Sequence, residues 1–268
     1  MKVCFVVNEL SFFLRHRLDL AETIAKDYEF FVVTDSLKAT NEEIINLKKR
    51  GIKLIKLRQR SKLFGLKDYL RYLLELRRAI KKISPEYIFF ITLELSMFGV
   101  FIHNFTGGKK SFFIITGVGH YLTSTNLKVL IFRTLNRIGY FFLTLKKDHL
   151  FIFQNHDDQR LFINKKMTFS NKTVVIRGNG VDGSFFKYVD RGVPDEIVFL
   201  FSSRLLVSKG VKEFISASII LKEKYSNISF IIAGKFDPSI PETISEDLFD
   251  EICKSEKYFG EISYTKMP

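Results

Sequence analysis

Short apolar runs alternate with amphipathic segments along nearly the whole chain, and few folds accept that rhythm. Lys2–Val7 is a continuous apolar run, the pattern of a strand covered on both faces. Arg15–Lys26 follows, with Leu18, Ala21, Ile24 and Ala25 on one helical stripe. The patterning predicts strands at Phe30–Thr34, Ile52–Leu57, Tyr87–Leu93 and Ser111–Thr116, and helices at Glu42–Arg50 and Lys67–Ile83. Gly51 stops the first of these helices and Ser84-Pro85 the second. Leu127–Leu145 reads as an unusually apolar helix, and Leu150–Gln154 and Thr173–Arg177 as short strands. After Pro194 the rhythm restarts with strand Ile197–Ser202, helix Val211–Tyr225 and strand Ile228–Ala233. Such alternation predicts an α/β protein with mostly parallel sheets and helices on both faces. The weakly patterned Gly178–Pro194 separates two such units, so the 268 residues divide into 1–177 and 178–268.

Several classes are excluded. Two cysteines, Cys4 and Cys253, cannot build a disulfide framework and suggest a reducing compartment. The opening apolar run is too short for a signal peptide. The longest apolar stretch, Tyr87–Ile102, is interrupted by Glu94 and falls short of the ~20 residues of a membrane span.

The charge is uneven. Residues 1–150 hold 26 Lys+Arg against 13 Asp+Glu, which is the whole net +13 of the chain. Lys48–Lys82 alone carries 14 basic residues against Asp68 and Glu75. That is a footprint for an anionic surface, whether lipid headgroups, nucleic acid or a phosphorylated substrate.

Two loops offer themselves for phosphate binding. Gly178-Asn179-Gly180-Val181-Asp182-Gly183 fits the dinucleotide pattern G-x-G-x-x-G. That pattern needs a helix opening at the glycines, and the residues after it lack helical periodicity. The stronger loop is Ser203-Arg204-Leu205-Leu206-Val207-Ser208-Lys209-Gly210, between an apolar strand and a helix. Arg204 and Lys209 can converge above the carboxyl edge of a parallel sheet, where such folds bind ligands. Arginine offers a planar fork to phosphate and lysine a point charge. The helix that starts at Gly210 adds its own positive end.

Arg204-x4-Lys209-Gly210 after the first strand of a second Rossmann-like unit resembles the diphosphate clamp of the family-four retaining glycosyltransferases, which have the GT-B fold. Phe12-Phe13-Leu14-Arg15-His16-Arg17-Leu18 resembles the first loop and helix start of the bacterial surface-polysaccharide members. Thr116-Gly117-Val118-Gly119 resembles their TGLG loop, Phe153-Gln154-Asn155-His156-Asp157-Asp158 their FQNPDD, and Asn179-Gly180-Val181-Asp182 the NGVD that opens the interdomain crossing. Ala233-Gly234 resembles the strand end before the nucleotide-base region.

The resemblance implies transfer of a sugar, with retention, from a nucleotide-diphosphate donor such as a UDP-sugar to a polyprenyl-linked glycan. In that picture Arg204, Lys209 and Gly210 hold the donor diphosphate, and no metal or other cofactor is expected. Thr116, Gly117 and Gly119 form an acceptor or phosphate loop. His16 and His120 are the catalytic candidates, and Asn155, Asn179 and Asp182 lie at the interdomain crossing. The partners implied are the nucleotide-sugar, the lipid-linked acceptor and an anionic membrane surface, not nucleic acid. The implied place is cytoplasmic, peripheral on the inner membrane. Relatives also carry a late Glu-x7-Glu. The one such pair here, Glu86 and Glu94, flanks a strand of the first unit. The resemblance therefore implies an incomplete second unit and a truncated glycosyltransferase: a fragment, the product of a frameshifted gene or half of a split protein, with activity and inactivity both left open. Two other readings stay open: a non-catalytic basic module for anionic membrane or nucleic acid, and a sugar-nucleotide epimerase sharing the fold.

Overall fold

A computed structural model of the protein describes residues 1–58, 66–105, 110–118, 134, 137–140, 148–190, 192, 195–234, 236–238, 240 and 242–254. The chain forms two compact units, Met1–Phe186 and Lys187–Pro268.

The first unit is built on seven strands: β1 (Lys2–Glu9), β2 (Glu29–Ser36), β3 (Ile52–Lys56), β4 (Tyr87–Ile91), β5 (Lys110–Ile115), β6 (His149–Phe153) and β7 (Thr173–Val175). Their order across the sheet is β3-β2-β1-β4-β5-β6-β7, and every pair is parallel. The helices are α1 (Leu10–His16), α2 (Leu18–Ala25), α3 (Asn41–Lys49), α4 (Leu66–Ile83), α5 (Leu93–Phe105) and α6 (His156–Asn164). The unit is of the parallel α/β class that the alternation of strands and helices predicts.

Alternate residues of each strand feed two cores. On one face Cys4, Val6, Phe90, Phe113, Phe151 and Phe153 pack with Tyr72, Leu76 and Ile80 of α4 and Phe98 of α5. On the other Phe5, Val7, Phe30 and Val32 pack with Leu10 and Phe13 of α1 and Ala21 of α2.

Local chemistry sets several boundaries. The Thr40 side chain accepts from the Glu43 N–H while Glu43 reaches back to the Thr40 N–H, a reciprocal cap that fixes the start of α3. Asn155 caps α6 in the same manner, its Oδ1 accepting from the Asp158 N–H at 2.7 Å.

Three differences from the sequence expectation have clear causes. The helix expected at Arg15–Lys26 is two helices that meet at Arg17, whose backbone is non-helical (φ −136°, ψ −3°). The strand expected to reach Leu93 ends at Ile91, because Thr92 turns with φ +100° and α5 begins. In α5, Leu95, Met97, Phe98, Val100 and Ile102 are all buried, and a helix apolar around its circumference shows no period to find. The apolar helix expected at Leu127–Leu145 falls largely outside the described residues.

The second unit pairs β8 (Ile197–Ser202) in parallel with β9 (Ile228–Ala233), with α7 (Val211–Lys222) and α8 (Glu246–Lys254) alongside. Its core is Leu205, Val211, Ile228, Phe230, Ile232 and Ile244. The apolar run of β8 implied burial on both faces. Instead Ile197, Val198, Phe199 and Leu200 are 40–59% exposed. Among the described residues β8 has a single strand neighbour, which leaves its other edge and much of its apolar surface uncovered.

Candidate active site

In the first unit the sheet reverses its strand order between β1 and β4. Loops leaving the carboxyl ends at such a point form a crevice. Asn8, near the end of β1, donates from Nδ2 to Thr92 Oγ1 and to Glu94 Oε2, both at 3.3 Å. Thr34 Oγ1 donates to the Asn8 carbonyl at 3.3 Å. Thr92 is β-branched, and its φ of +100° is costly for such a side chain. It is held there by its N–H on Ile114 O at 3.0 Å and by Ser96 Oγ on its carbonyl at 2.7 Å.

Sequence reasoning did not single out Asn8 or Thr92, and it read Glu94 only as half of a chance pair. Glu86 indeed stands at the far end of β4, where its Oε2 accepts from the Lys2 N–H. The signal for Glu94 was the carboxylate interrupting an apolar run.

His16 was expected in the first turn of a helix. It is the last residue of α1, exposed, with its ring 4.9 Å from that of Phe12. Partial burial, then the charges of Arg15 and Arg17, push its pKa below the ordinary imidazole value, so the ring is neutral at pH 7. Replacing Arg15 by Gln removes one of the two cations and raises the His16 midpoint in an NMR titration. An unchanged or lower midpoint contradicts this electrostatic account.

Thr116 and Gly117 follow the carboxyl end of β5, and the space around Gly117 is open. Gly119 and His120 lie outside the described residues. At the ends of β6 and β7, Gln154 Nε2 donates to Asn179 Oδ1 at 2.9 Å. Asn155 is occupied as the α6 cap. Asp182 accepts from both the N–H and the hydroxyl of Ser184, which hold its carboxyl below the usual range. Gly178 and Gly180 adopt φ of +70° and +79° in an exposed turn with no helix after it, so the G-x-G-x-x-G stretch is not a dinucleotide fingerprint.

In the second unit Arg204, Lys209 and Gly210 share the loop that leaves the carboxyl end of β8. Both cations are exposed. Gly210 sits at φ +83° and starts α7, and no side chain caps that helix. The loop is fastened by a second segment. Ser208 Oγ donates to Glu242 Oε2 at 2.6 Å, the Val207 N–H to Glu242 O at 2.9 Å, and the Ile244 N–H to Leu205 O at 3.1 Å. Gly234 ends β9 so close to Ser203 that a Cβ would strike the Ser203 carbonyl. Two cations and an uncapped helix start on one fastened loop suit a polyanion such as a diphosphate.

A parallel α/β sheet of this order, followed by a second and smaller parallel unit, is the GT-B type of fold. The chain belongs to the glycosyl transferase 4-like family, whose model matches residues 2–155. No curated protein sequence matches the chain significantly. Among solved structures it resembles a glycosyltransferase from Rickettsia africae, with TM-score 0.60 and 13% identity over 88% of this chain and 61% of that one. It also resembles HepE from Anabaena in complex with UDP and glucose, with TM-score 0.59 and 16% identity over 94% and 64%. A UDP-GlcNAc 2-epimerase from Neisseria meningitidis bound to UDP-GlcNAc matches with TM-score 0.52 and 13% identity over 89% and 67%. The chain thus spans less than two thirds of the length of the first two.

Proposed function

We propose that the protein is a retaining glycosyltransferase that takes a sugar from a UDP-sugar and transfers it to a lipid-linked glycan in surface-polysaccharide assembly. The observation that carries the donor half is the Arg204–Gly210 loop on a parallel-sheet edge, fastened through Glu242. The complexes of HepE with UDP and of the Neisseria epimerase with UDP-GlcNAc support a uridine diphosphate on this fold. Family membership favours transfer over epimerisation. In this reading the second unit binds the donor, Arg204 and Lys209 meet the diphosphate charge without a metal, and the first unit receives the acceptor near Thr116 and Gly117.

The acceptor half rests on α4. Its buried stripe is Tyr72, Leu76, Ile80 and Ile83, which leaves Leu70 and Leu74 about half exposed among Arg71, Arg77, Arg78, Lys81 and Lys82. Exposed leucines among cations suit the surface of an anionic bilayer, each cation contributing about 1 kcal/mol. Among the described residues no helix is long and apolar enough to cross a membrane.

Calorimetry with UDP tests the donor assignment. Replacing Arg204 by Ala removes one charge-assisted contact and weakens UDP binding by about 1.5–3 kcal/mol, roughly ten- to a hundred-and-fifty-fold. UDP binding unaffected by Arg204→Ala and Lys209→Ala refutes the clamp.

A further inference from the structure

Leu10, Phe13, Arg17 and Ala21 fall on one helical stripe, and all four are buried. The third is a cation. Arg17 is 7% exposed, and neither its Nε nor its Nη2 meets a hydrogen-bond acceptor. Its backbone is fixed, with its N–H on Phe13 O at 2.8 Å and its carbonyl accepting from the Ala21 N–H at 3.0 Å. Burial pushes its pKa down, yet a guanidinium stays charged at any physiological pH. A buried, unpaired ion is among the costliest features a fold can carry.

Among the described residues no acid forms an ion pair with Arg17. α1 contains no acid, and Glu9 just before it is engaged by Lys38 at 2.6 Å. Asp19, in the first turn of α2, is exposed to water. Arg15 adds a second cation and His16 is neutral. Arg17 is also the N-cap residue of the eight-residue α2, whose start has no side-chain cap. The first N–H groups of α2 and the guanidinium are thus offered at the same junction. The segment that carries Arg17 leaves β1 at the reversal point of the sheet, the point at which folds of this class bind ligands.

We propose that the α1–α2 junction is an anion site in which the Arg17 guanidinium and the uncapped start of α2 receive a phosphoryl group. The guanidinium fork matches two phosphate oxygens, and the helix start favours the same charge. The choice of phosphoryl over carboxylate rests on the glycosyltransferase reading; the need for an anion rests on Arg17 alone. The phosphoryl group belongs to a lipid phosphate, to the nucleotide or to free phosphate, and the three sources share this chemistry.

The test uses the full chain, with inorganic phosphate, UDP and farnesyl phosphate as separate probes and chloride at matched ionic strength as the control. The Arg17 Nε–H resonance is followed by NMR while Tm is measured in parallel. At least one probe shifts the resonance and raises Tm above the chloride control, and the probe with the lowest Kd identifies the source. Arg17→Met removes the charge while keeping most of the volume. It melts no lower than the parent without ligand, because no native partner is lost, and it no longer responds to the probe. Arg17→Lys keeps a charge without the fork and weakens the probe roughly tenfold. An Arg17 resonance indifferent to all three probes overturns the proposal, as does an undiminished response in Arg17→Lys. UDP that binds through Arg204 while Arg17 ignores every probe removes this site and leaves the glycosyltransferase reading standing. Phosphate that shifts Arg17 in a protein that binds no UDP does the reverse.

Discussion

Replacing Phe113 by Ala costs the first unit about 3–5 kcal/mol of unfolding free energy. Phe113 is fully buried in β5, an interior strand of the sheet between β4 and β6. Its ring stacks on Phe90 of β4 at 5.5 Å and on Phe151 of β6 at 4.9 Å. These three rings tie neighbouring strands together across one face. Truncation loses the transfer energy of a large aromatic side chain and opens a cavity whose walls are held by backbone pairing on both sides. A domain is stable by only about 5–15 kcal/mol, so the loss is a large part of the total. Urea unfolding followed by far-UV circular dichroism measures it, with Phe113→Leu as the milder control. A loss below about 1 kcal/mol shows that the neighbouring rings collapse into the space, contrary to this account.

Gly234→Ala strikes the donor loop and the fold of the second unit together. The Ser203 N–H donates to the Ala233 carbonyl at 3.1 Å, which fixes the ends of β8 and β9 side by side. The Cβ of an alanine at 234 would collide with the Ser203 carbonyl, a backbone atom that no rotamer change can move. Relief requires the two strand ends to part where the loop toward Arg204 begins. The cost lies at the upper end for overpacking, about 3 kcal/mol, and UDP affinity falls with it. Gly183 is the control, because a Cβ there meets nothing within 4 Å and Gly183→Ala leaves both quantities unchanged. Calorimetry with UDP and thermal unfolding supply the two readings. Parent-like affinity and stability in Gly234→Ala would refute the close approach of the two strand ends.

These two sites show where sequence and structure divide the work. The strand of Phe113 was legible, because a run apolar at every position announces a strand between two helical layers. The parallel α/β class followed from the alternation of such runs with amphipathic helices. The cationic loop was legible for the same local reason: strand, Arg204, Lys209, Gly210 and helix are contiguous in the chain. The helices α5, α6 and α8 were not found. Burial of α5 around its circumference erases the period that reveals a helix, and the Asn155 cap of α6 was hidden within a motif read for the interdomain crossing.

The sequence by itself determined what contiguous residues can encode: the α/β class, the bipartite organisation, the cationic loop and the basic excess of the first half. Tertiary structure decided what depends on residues far apart in the chain. Asn8 meets Thr92 and Glu94 across 84 and 86 positions, because strand order places β1 beside β4. Glu242 fastens Ser208 from 34 positions away. Arg17 carried a trace in sequence, a cation on the stripe of Leu10, Phe13 and Ala21. Only the packing of α1 and α2 on the sheet shows that its charge is buried without a partner, because desolvation is a property of everything around a group and not of its neighbours in the chain.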